Sequence, residues 1–288
     1  MLAGVELGGT KCICILGTGP DDVRAQVAIP TTSPAATLAA IAHILDGWDF
    51  RSLGIASFGP LDLDRTSAKF GSIVSTPKSG WSGTDLTALA NDRPYAIDTD
   101  VNGAALAEGF WGAAQGLESW AYITIGTGVG VGSVAARQLL RGAGHSEAGH
   151  QRVPKLKGDR FEGCCVYHGD CVEGLASGPA IAARAGHDGR DLAPDDEAWN
   201  HAAHAIAMLC HNLVLTTLPQ RILIGGGVAI GQPQLLAAVR RHVADSLSGY
   251  APTGGVADLI VLPGLGERAG PCGSLALASI AAINGSGP

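Results

Sequence analysis

Two segments of this chain share one pattern, in which an apolar strand, a turn rich in glycine and threonine, and a second apolar strand follow one another. Residues 5–16 are VELGGTKCICIL, and residues 123–134 are ITIGTGVGVGSV. Each pattern predicts a β-hairpin. Their similarity indicates a diverged duplication, with one hairpin in each of two domains. Because glycine-rich hairpins are common, chance similarity is the alternative.

Strand-like and helical patterns alternate along the rest of the chain and predict an α/β fold. Further strands are predicted at 24–28, 53–57, 94–97, 221–224 and 259–262. Helices are predicted at 34–45, 101–111, 195–216, 233–247 and 272–282, with another beginning near Gly178. A length of 288 residues fits two domains. We expect an N-terminal α/β domain of residues 1–112, completed by a C-terminal helix at about 272–288, and a C-terminal α/β domain of residues 113–271.

The composition excludes several classes of partner. Lys and Arg number 19 against 26 Asp and Glu, for a formal net charge of −7. Without a dense basic run, we expect no nucleic-acid partner. The long uncharged stretches are interrupted by glycine, proline or polar residues and predict no membrane span. The first residues, MLAGVELGG, lack the basic segment of a signal peptide, so we expect a cytoplasmic protein.

Three glycine-rich turns expose backbone N–H groups of the kind that bind phosphate. The first is residues 8–11, where Thr10 adds a hydroxyl and Lys11 a positive charge. The second is residues 126–132, with glycine at every other position, and the third is residues 225–227, between a strand and a helix. Each turn taken alone also fits an ordinary hairpin or tight turn.

Asp100 stands where a predicted strand ends and a helix begins, within the sequence DTDVN at residues 98–102. Aspartate at that point is commonly the N-cap of the helix. It also fits a general base, because active sites of α/β proteins lie at the carboxyl ends of sheet strands.

Three of the seven cysteines lie within eight positions, a pattern that in a cytosolic chain favours a metal site over disulfides. Cys165, His168 and Cys171 follow one another at x2 spacings, and His150 lies fifteen residues before Cys165. Two thiolates and two imidazoles form a closed tetrahedral set for structural Zn²⁺. Cys164 competes with Cys165 for this role, and buried cysteines without a metal are the alternative.

Two carboxylates lie within the predicted zinc loop of about residues 145–175. Glu147 lies three residues before His150, and Glu173 lies two residues after Cys171. If a metal orders the loop, both carboxylates are fixed near one point and accept hydrogen bonds from hydroxyl groups. Either acid alone also fits a solvated surface position.

Together these motifs resemble those of the ROK family (repressors, open reading frames and sugar kinases), in the same order over nearly the whole chain. The motifs are ELGGTK at 6–11, SFGPLD at 57–62, DTDVNGAALAE at 98–108, TIGTGVGVG at 124–132, SEAGH at 146–150, the zinc loop, GLASGPAI at 174–181 and LIGGGV at 223–228. The resemblance implies the two-domain actin-like (ribonuclease H-like) ATPase fold, an α/β fold with its active site in the interdomain cleft.

Within this family, the chain is most similar to the bacterial zinc-containing fructokinase branch, on the evidence of three features. They are Glu6, where many members have Asp, the sequence STPKSGW at residues 75–81, and the Cys-x2-His-x2-Cys zinc loop. Thr99 stands where the family's glucokinases commonly have Asn. The resemblance implies ATP-dependent phosphorylation of a hexose, D-fructose to fructose 6-phosphate. A glucokinase, a mannokinase, a broad-specificity hexose kinase or a non-catalytic sugar-binding regulator are the alternatives.

The resemblance also assigns roles residue by residue. Asp100 matches the catalytic base, and the zinc ligands are His150, Cys165, His168 and Cys171. The substrate-binding residues are Gly59, Lys78, Asn102, Glu147, His150 and Glu173. The ATP-binding residues are Gly8, Gly9, Thr10, Lys11, Gly126, Thr127, Gly128, Pro179, Gly225, Gly226, Gly227, Val228 and Ala229. Catalytic Mg²⁺, structural Zn²⁺ and a homodimer are expected on the same ground.

Overall fold

The structure, a computed structural model, describes residues 1–250 and 254–284. The chain divides into two compact units. Unit 1 comprises Met1–Gln115, Leu139–Ser146 and the segment that begins at Arg268, and unit 2 comprises Gly116–Gln138 and Glu147–Glu267. The sequence does not predict that residues 139–146 belong with the N-terminal part of the chain. The end of the predicted C-terminal helix, residues 285–288, lies outside the described residues.

Strands and helices alternate as an α/β fold requires. The strands are β1 (Leu2–Leu7), β2 (Lys11–Gly19), β3 (Asp22–Pro30), β4 (Leu53–Ser57), β5 (Tyr95–Thr99), β6 (Trp120–Ile125), β7 (Val129–Ala135), β8 (Gln138–Leu139), β9 (Arg221–Gly225) and β10 (Ile260–Val261). The helices are α1 (Pro34–Asp46), α2 (Asp100–Trp111), α3 (Val172–Ala176), α4 (Gly178–Ala185), α5 (Glu197–Thr217), α6 (Gly227–Gly231), α7 (Pro233–Leu247), α8 (Val256–Leu259) and α9 (Ala269–Asn284). No helix in this described part of the chain is both long and apolar enough to cross a membrane.

The sheet of unit 1 has the strand order β3-β2-β1-β4-β5. β1, β2 and β3 pair antiparallel, whereas β4 and β5 run parallel to β1. In the parallel register Leu7 pairs with Ser57, and Ser57 pairs with Thr99. The residues that follow these three strands therefore leave the sheet at one edge.

Helix α9 fixes the start of α2 through very close backbone packing. A side chain on Gly273 of α9 would lie 2.5 Å from the Gly103 carbonyl carbon of α2. A side chain on Gly54 of β4 would overlap the Ser274 carbonyl oxygen. Glycine at these positions lets α9 approach both α2 and the sheet, and small residues elsewhere in α9, such as Ala276 and Ala278, are buried in the same contact.

Unit 2 repeats the plan of unit 1. Its sheet has the order β10-β9-β6-β7-β8, in which β6 and β7 form the antiparallel hairpin and β9 runs parallel to β6. Read from β8 to β10, this is the order found in unit 1, with β6 in the place of β1. The shared order supports the duplication predicted from the two hairpin sequences. The core of unit 2 is formed largely by α5, where Trp199, Ile206 and Leu213 are buried.

Several element boundaries differ from the sequence predictions. The predicted strand at 259–262 is only two residues long, because Leu259 closes a helical turn by donating its N–H to the Gly255 carbonyl oxygen at 3.0 Å. Strand β8 and the short helix α3 are elements for which the sequence gives no prediction. Helix α9 begins at Ala269, three residues before its predicted start.

Candidate active site and metal centre

The turn between β1 and β2 is held by backbone and side-chain hydrogen bonds. The Gly8 N–H donates to the Lys11 carbonyl oxygen at 3.0 Å, and the Thr31 hydroxyl donates to the Gly8 carbonyl oxygen at 2.7 Å. A Cβ at Gly8 would lie 2.7 Å from the Lys11 oxygen, so the turn needs glycine there. Gly9, Thr10 and Lys11 are exposed, as a phosphate-binding loop requires.

Asp100 is the first residue of α2 and not its N-cap, which corrects that sequence interpretation. Thr99 is the cap: its backbone is extended, and its hydroxyl accepts the Asn102 N–H at 3.2 Å. The Asp100 carboxylate is half-buried, and one of its oxygens accepts the Val101 N–H at 2.8 Å. Since Thr99 caps the helix, removal of the Asp100 carboxylate does not remove the cap.

Asn102, a predicted sugar contact, is 3% exposed and donates its side-chain N–H to Asp98 at 2.7 Å. The Asp98 carboxylate is fully buried and also accepts the Thr99 N–H at 2.8 Å. The opposite oxygen of Asp98 accepts a hydrogen bond from Arg141. Asp98 therefore orients both the Asn102 side chain and the backbone beside the helix cap.

Glu6 is the acidic residue of the first motif and lies near the end of β1. A side chain on Gly270 would overlap the Glu6 carboxylate, so this group packs against the first turn of α9. Burial, with a smaller contribution from the negative charge of Asp100, raises the pKa of Glu6 to about 7, and Lys11 opposes the rise. The negative charge of Asp100 thus adds to the effect of burial on the pKa of Glu6.

Gly59 and Lys78 are the two predicted substrate-binding residues between β4 and β5. Gly59 follows β4 directly after Phe58 and lies beside the His145 ring. Lys78 donates from Nζ to the Gly9 carbonyl oxygen at 2.5 Å. The structure therefore brings Lys78 to the first glycine turn, a contact that the sequence does not predict.

The predicted nucleotide-binding residues of unit 2 come together around the ends of β6 and β9. These strands are parallel, with Thr124 paired to Gly225. The Gly178 N–H donates to the Gly126 carbonyl oxygen at 2.8 Å, which joins the second glycine turn to the start of α4, where Pro179 lies. A Cβ at Gly178 would lie 3.5 Å from Val228, the second residue of α6.

The third glycine turn, residues 225–227, joins β9 to α6 as the sequence predicts. Gly226 has a φ of +87°, and a Cβ there would meet the Ile125 backbone of β6 at 2.5 Å from its nitrogen. Gly227 is exposed, and Ala229 is buried below it. The third turn therefore packs against the end of β6, directly before the second turn, which contains Thr127 and Gly128.

Four donor atoms converge in the loop that the sequence assigns to zinc. The ligand atoms of His150, Cys165, His168 and Cys171 all lie within 4.8 Å of one another. His150 Nδ1 lies 3.6 Å from the sulfurs of both Cys165 and Cys171, and His168 Nδ1 lies 3.8 Å from Cys165 Sγ. With ordinary zinc bond lengths, a tetrahedral site has sulfur-to-nitrogen edges of about 3.6 Å. The donor set therefore fits Zn²⁺ in both chemistry and spacing.

The structure also distinguishes the two adjacent cysteines. Cys165 and Cys171 are buried, whereas Cys164 is exposed and does not belong to the cluster. Cys165 and Gly169 exchange backbone hydrogen bonds at 3.1 and 2.9 Å, which turns the Cys165 side chain toward His150. Cys165 is accordingly the candidate ligand.

Glu173 links this metal cluster to the second glycine turn. Its Oε2 accepts the Val129 N–H at 3.1 Å, and a Cβ at Gly128 would lie 2.5 Å from that oxygen. Its Oε1 lies 4.0 Å from His150 Nδ1. Glu147 is exposed and precedes the helical turn of residues 148–150. The glycine turn, Glu173 and the metal cluster thus form one connected group.

Two residues near the site are not predicted from the sequence. Arg141 pairs with Asp98, and His145 Nε2 accepts the Leu61 N–H at 2.9 Å. Both belong to residues 139–146, a segment without a spacing pattern that indicates its partners. Only their contacts in the folded structure, with Asp98 of β5 and with Leu61 after β4, identify them.

Comparison with known proteins is consistent with this architecture. The model of the ROK family matches residues 2–280. The fructokinase of Zymomonas mobilis is 43% identical over 95% of each chain, and that of Pediococcus pentosaceus is 38% identical over 99% of each chain. The crystal structure of the ROK hexokinase from Thermus thermophilus superposes with a TM-score of 0.79, at 27% identity and 99% coverage of each chain.

The repeated sheets, the paired glycine turns and these likenesses define a sugar kinase with the two-domain actin-like ATPase fold. The chain belongs to the ROK family and, within it, to the fructokinase branch.

Proposed function

We propose that this protein transfers the γ-phosphoryl group of ATP to the primary hydroxyl of D-fructose, giving fructose 6-phosphate. The observation that carries the proposal is the register of β1, β4 and β5, in which Leu7, Ser57 and Thr99 align. That register supports one site containing a phosphate-binding turn, Gly59 and Asp100. The fructokinases to which the chain is similar support fructose as the acceptor.

Asp100 is the general base in this proposal. Its carboxylate accepts the proton from the attacking hydroxyl as the oxygen approaches the γ-phosphorus. Its place at the start of α2 supports this role, because Thr99 and Asp98 already hold the local backbone. General acid–base catalysis of this kind contributes about 10²–10⁴-fold to the rate.

ATP is held by backbone N–H groups more than by side-chain charge. Gly8, Gly9, Thr10 and Lys11 form the turn for one part of the phosphate chain. In unit 2 the ATP-binding residues are Gly126, Thr127, Gly128, Pro179, Gly225, Gly226, Gly227, Val228 and Ala229. Mg²⁺ bound with ATP would offset the negative charge on the phosphates. The carboxylate of Glu6, which lies near Asp100, offers oxygen donors of the kind that Mg²⁺ prefers.

The sugar is bound by hydrogen bonds to its hydroxyl groups. The residues in this role are Gly59, Lys78, Asn102, Glu147, His150 and Glu173. The orientation of Asn102 by Asp98 supports its part in this set, since a fixed amide positions a substrate better than a mobile one.

His150, Cys165, His168 and Cys171 would hold a structural Zn²⁺. A set of four protein donors leaves no position for substrate, so the metal would supply stability and not chemistry. Its effect would be to fix the loop that carries Glu147 and Glu173.

The assembly and location belong to the same proposal. Family resemblance supports a homodimer. The free state of all seven cysteines supports the reducing environment of the cytoplasm.

A sugar panel tests the proposed reaction directly. Release of ADP would be measured with fructose, glucose, mannose and N-acetylmannosamine, with Mg²⁺ present and the zinc retained. We expect the highest kcat/KM with fructose. Turnover of glucose or mannose without fructose would contradict the choice of sugar, and no turnover of any sugar would contradict the kinase assignment.

A further inference from the structure

Residues 139–146 form a strap that belongs to unit 1, although the chain on both sides of it belongs to unit 2. The strap is attached near the carboxyl ends of β4 and β5, where the proposed base and sugar contacts lie. Two side chains, Arg141 and His145, make the attachment.

The first attachment is an ion pair between Arg141 and Asp98. The Asp98 side chain is fully buried, whereas that of Arg141 is 39% exposed. The Arg141 guanidinium donates to Oδ2 of Asp98, and Oδ1 accepts the Thr99 N–H and the Asn102 side-chain N–H at 2.8 and 2.7 Å. A buried charge without a partner is costly, so removal of the Arg141 guanidinium would leave the buried Asp98 side chain without its ion-pair partner.

The second attachment is His145. Its Nε2 accepts the Leu61 N–H at 2.9 Å, and a Cβ at Gly59 would lie 3.4 Å from its ring. The ring therefore packs against the loop that follows β4. The two attachments hold the strap across the ends of adjacent parallel strands.

We propose that Arg141 is a positioning residue for phosphoryl transfer, acting through Asp98 on Asn102 and on the first turn of α2. This inference rests on the proposed kinase function and extends it to a residue outside the catalytic, sugar-binding and ATP-binding sets named above. The guanidinium holds Oδ2 of Asp98, and Oδ1 of the same carboxylate holds the Asn102 amide. The amide in turn orients the sugar toward Asp100. A misplacement of about 1 Å at this point costs about 10²-fold in rate.

The test uses Arg141→Met, with Arg24→Met as the matched control. Arg24 also belongs to unit 1 and pairs with an aspartate, Asp22, but on the exposed strand β3. The measurements are kcat and KM for the hexose and for ATP, the melting temperature, and the ADP released for each sugar phosphate formed. The last ratio reports whether a misplaced sugar lets water compete for the phosphoryl group.

Arg141→Met is expected to lower kcat/KM for the hexose by at least about 10²-fold. The KM for ATP should stay at the wild-type value, and the ADP released for each sugar phosphate should rise. Arg24→Met should leave all of these unchanged. Arg141→Lys should restore part of the activity, because it keeps the charge but not the shape of the guanidinium.

The double variant Arg141→Met/Asp98→Asn separates positioning from stability, because it removes both charges of the buried pair. If the pair serves stability alone, the double variant regains both melting temperature and turnover, and the inference is wrong. Folded Arg141→Met protein with wild-type kcat/KM also overturns it. If the wild-type protein phosphorylates no sugar, the proposed function fails before the variants are compared.

Discussion

The carboxylate of Glu173 accepts a hydrogen bond from the Val129 N–H at 3.1 Å, and its other oxygen lies 4.0 Å from His150 Nδ1. One side chain therefore joins the second glycine turn to the Cys/His cluster. Glu173 belongs to α3, a helix of five residues that begins directly after Cys171. Its carboxylate therefore has little freedom to move relative to the Cys/His cluster. If a metal orders the Cys/His loop, Glu173 also holds the second glycine turn, which we propose binds phosphate.

This link predicts the effect of Glu173→Ala. The variant should weaken the binding of both the hexose and ATP, because the change removes a proposed sugar contact and an acceptor of the glycine turn. It should retain zinc, since Glu173 is outside the four-donor cluster. Isothermal titration with each substrate measures the first effect and metal analysis the second. Glu162→Ala, an exposed acid in the same loop, is the control, and equal effects of both variants would contradict the link.

The metal cluster predicts opposite results for two adjacent cysteines. Cys165→Ser should lose bound zinc and lower the melting temperature, because the set of four donors loses one thiolate. Cys164→Ser should retain both, since its side chain is exposed and outside the cluster. Metal content and thermal unfolding are measured on protein purified without chelator. Zinc retained by Cys165→Ser and lost by Cys164→Ser would reverse the assignment.

Glu6 predicts a stability that depends on pH. The folded protein holds the Glu6 proton more tightly than the unfolded chain, since its pKa rises from 4.5 to about 7. Stability therefore falls as the pH rises through this range. Glu6→Gln, which mimics the neutral acid, should raise the free energy of unfolding by about 1–3 kcal/mol at pH 8. This difference in the free energy of unfolding between Glu6→Gln and wild type should vanish at pH values below 4.5.

Urea unfolding of both proteins at the two pH values measures this difference. The prediction concerns stability alone. A gain that is equal at both pH values would show that the Glu6 charge is not its cause.

The close packing of α9 predicts a large effect of one methyl group. Gly273→Ala should lower the free energy of unfolding by about 1–3 kcal/mol, because the new Cβ meets the Gly103 backbone of α2. Gly231→Ala is the control, since a Cβ there would meet no atom within 4 Å. Chemical denaturation compares the two. Similar stability of both variants would show that α2 and α9 separate at little cost.

Much of the fold could be predicted from the sequence because its signals are local. The strand at 53–57 and the helix at 233–247 have the predicted bounds. Apolar alternation, glycine turns and a proline at the first helical turn are sufficient to define them. The Cys/His spacing likewise predicts the four donors that the structure brings together.

The parts that could not be predicted depend on partners that are distant in sequence. The sequence offers Asp100 as a helix cap, and only the hydrogen bond that the Thr99 hydroxyl accepts from the Asn102 N–H shows that Thr99 has this role. Arg141 lies 43 residues from Asp98, and no motif connects the two. The choice of Cys165 over Cys164 depends on which side chain the turn at Gly169 directs inward.

The role of Asp100 as general base is tested most directly by the turnover of Asp100→Asn with fructose and Mg-ATP, compared with wild type. We expect a loss of at least about 10²-fold in kcat, since the general base is removed. The melting temperature should be retained, because Thr99 and not Asp100 caps α2. A folded Asp100→Asn protein that phosphorylates fructose at the wild-type rate would show that Asp100 is not the base.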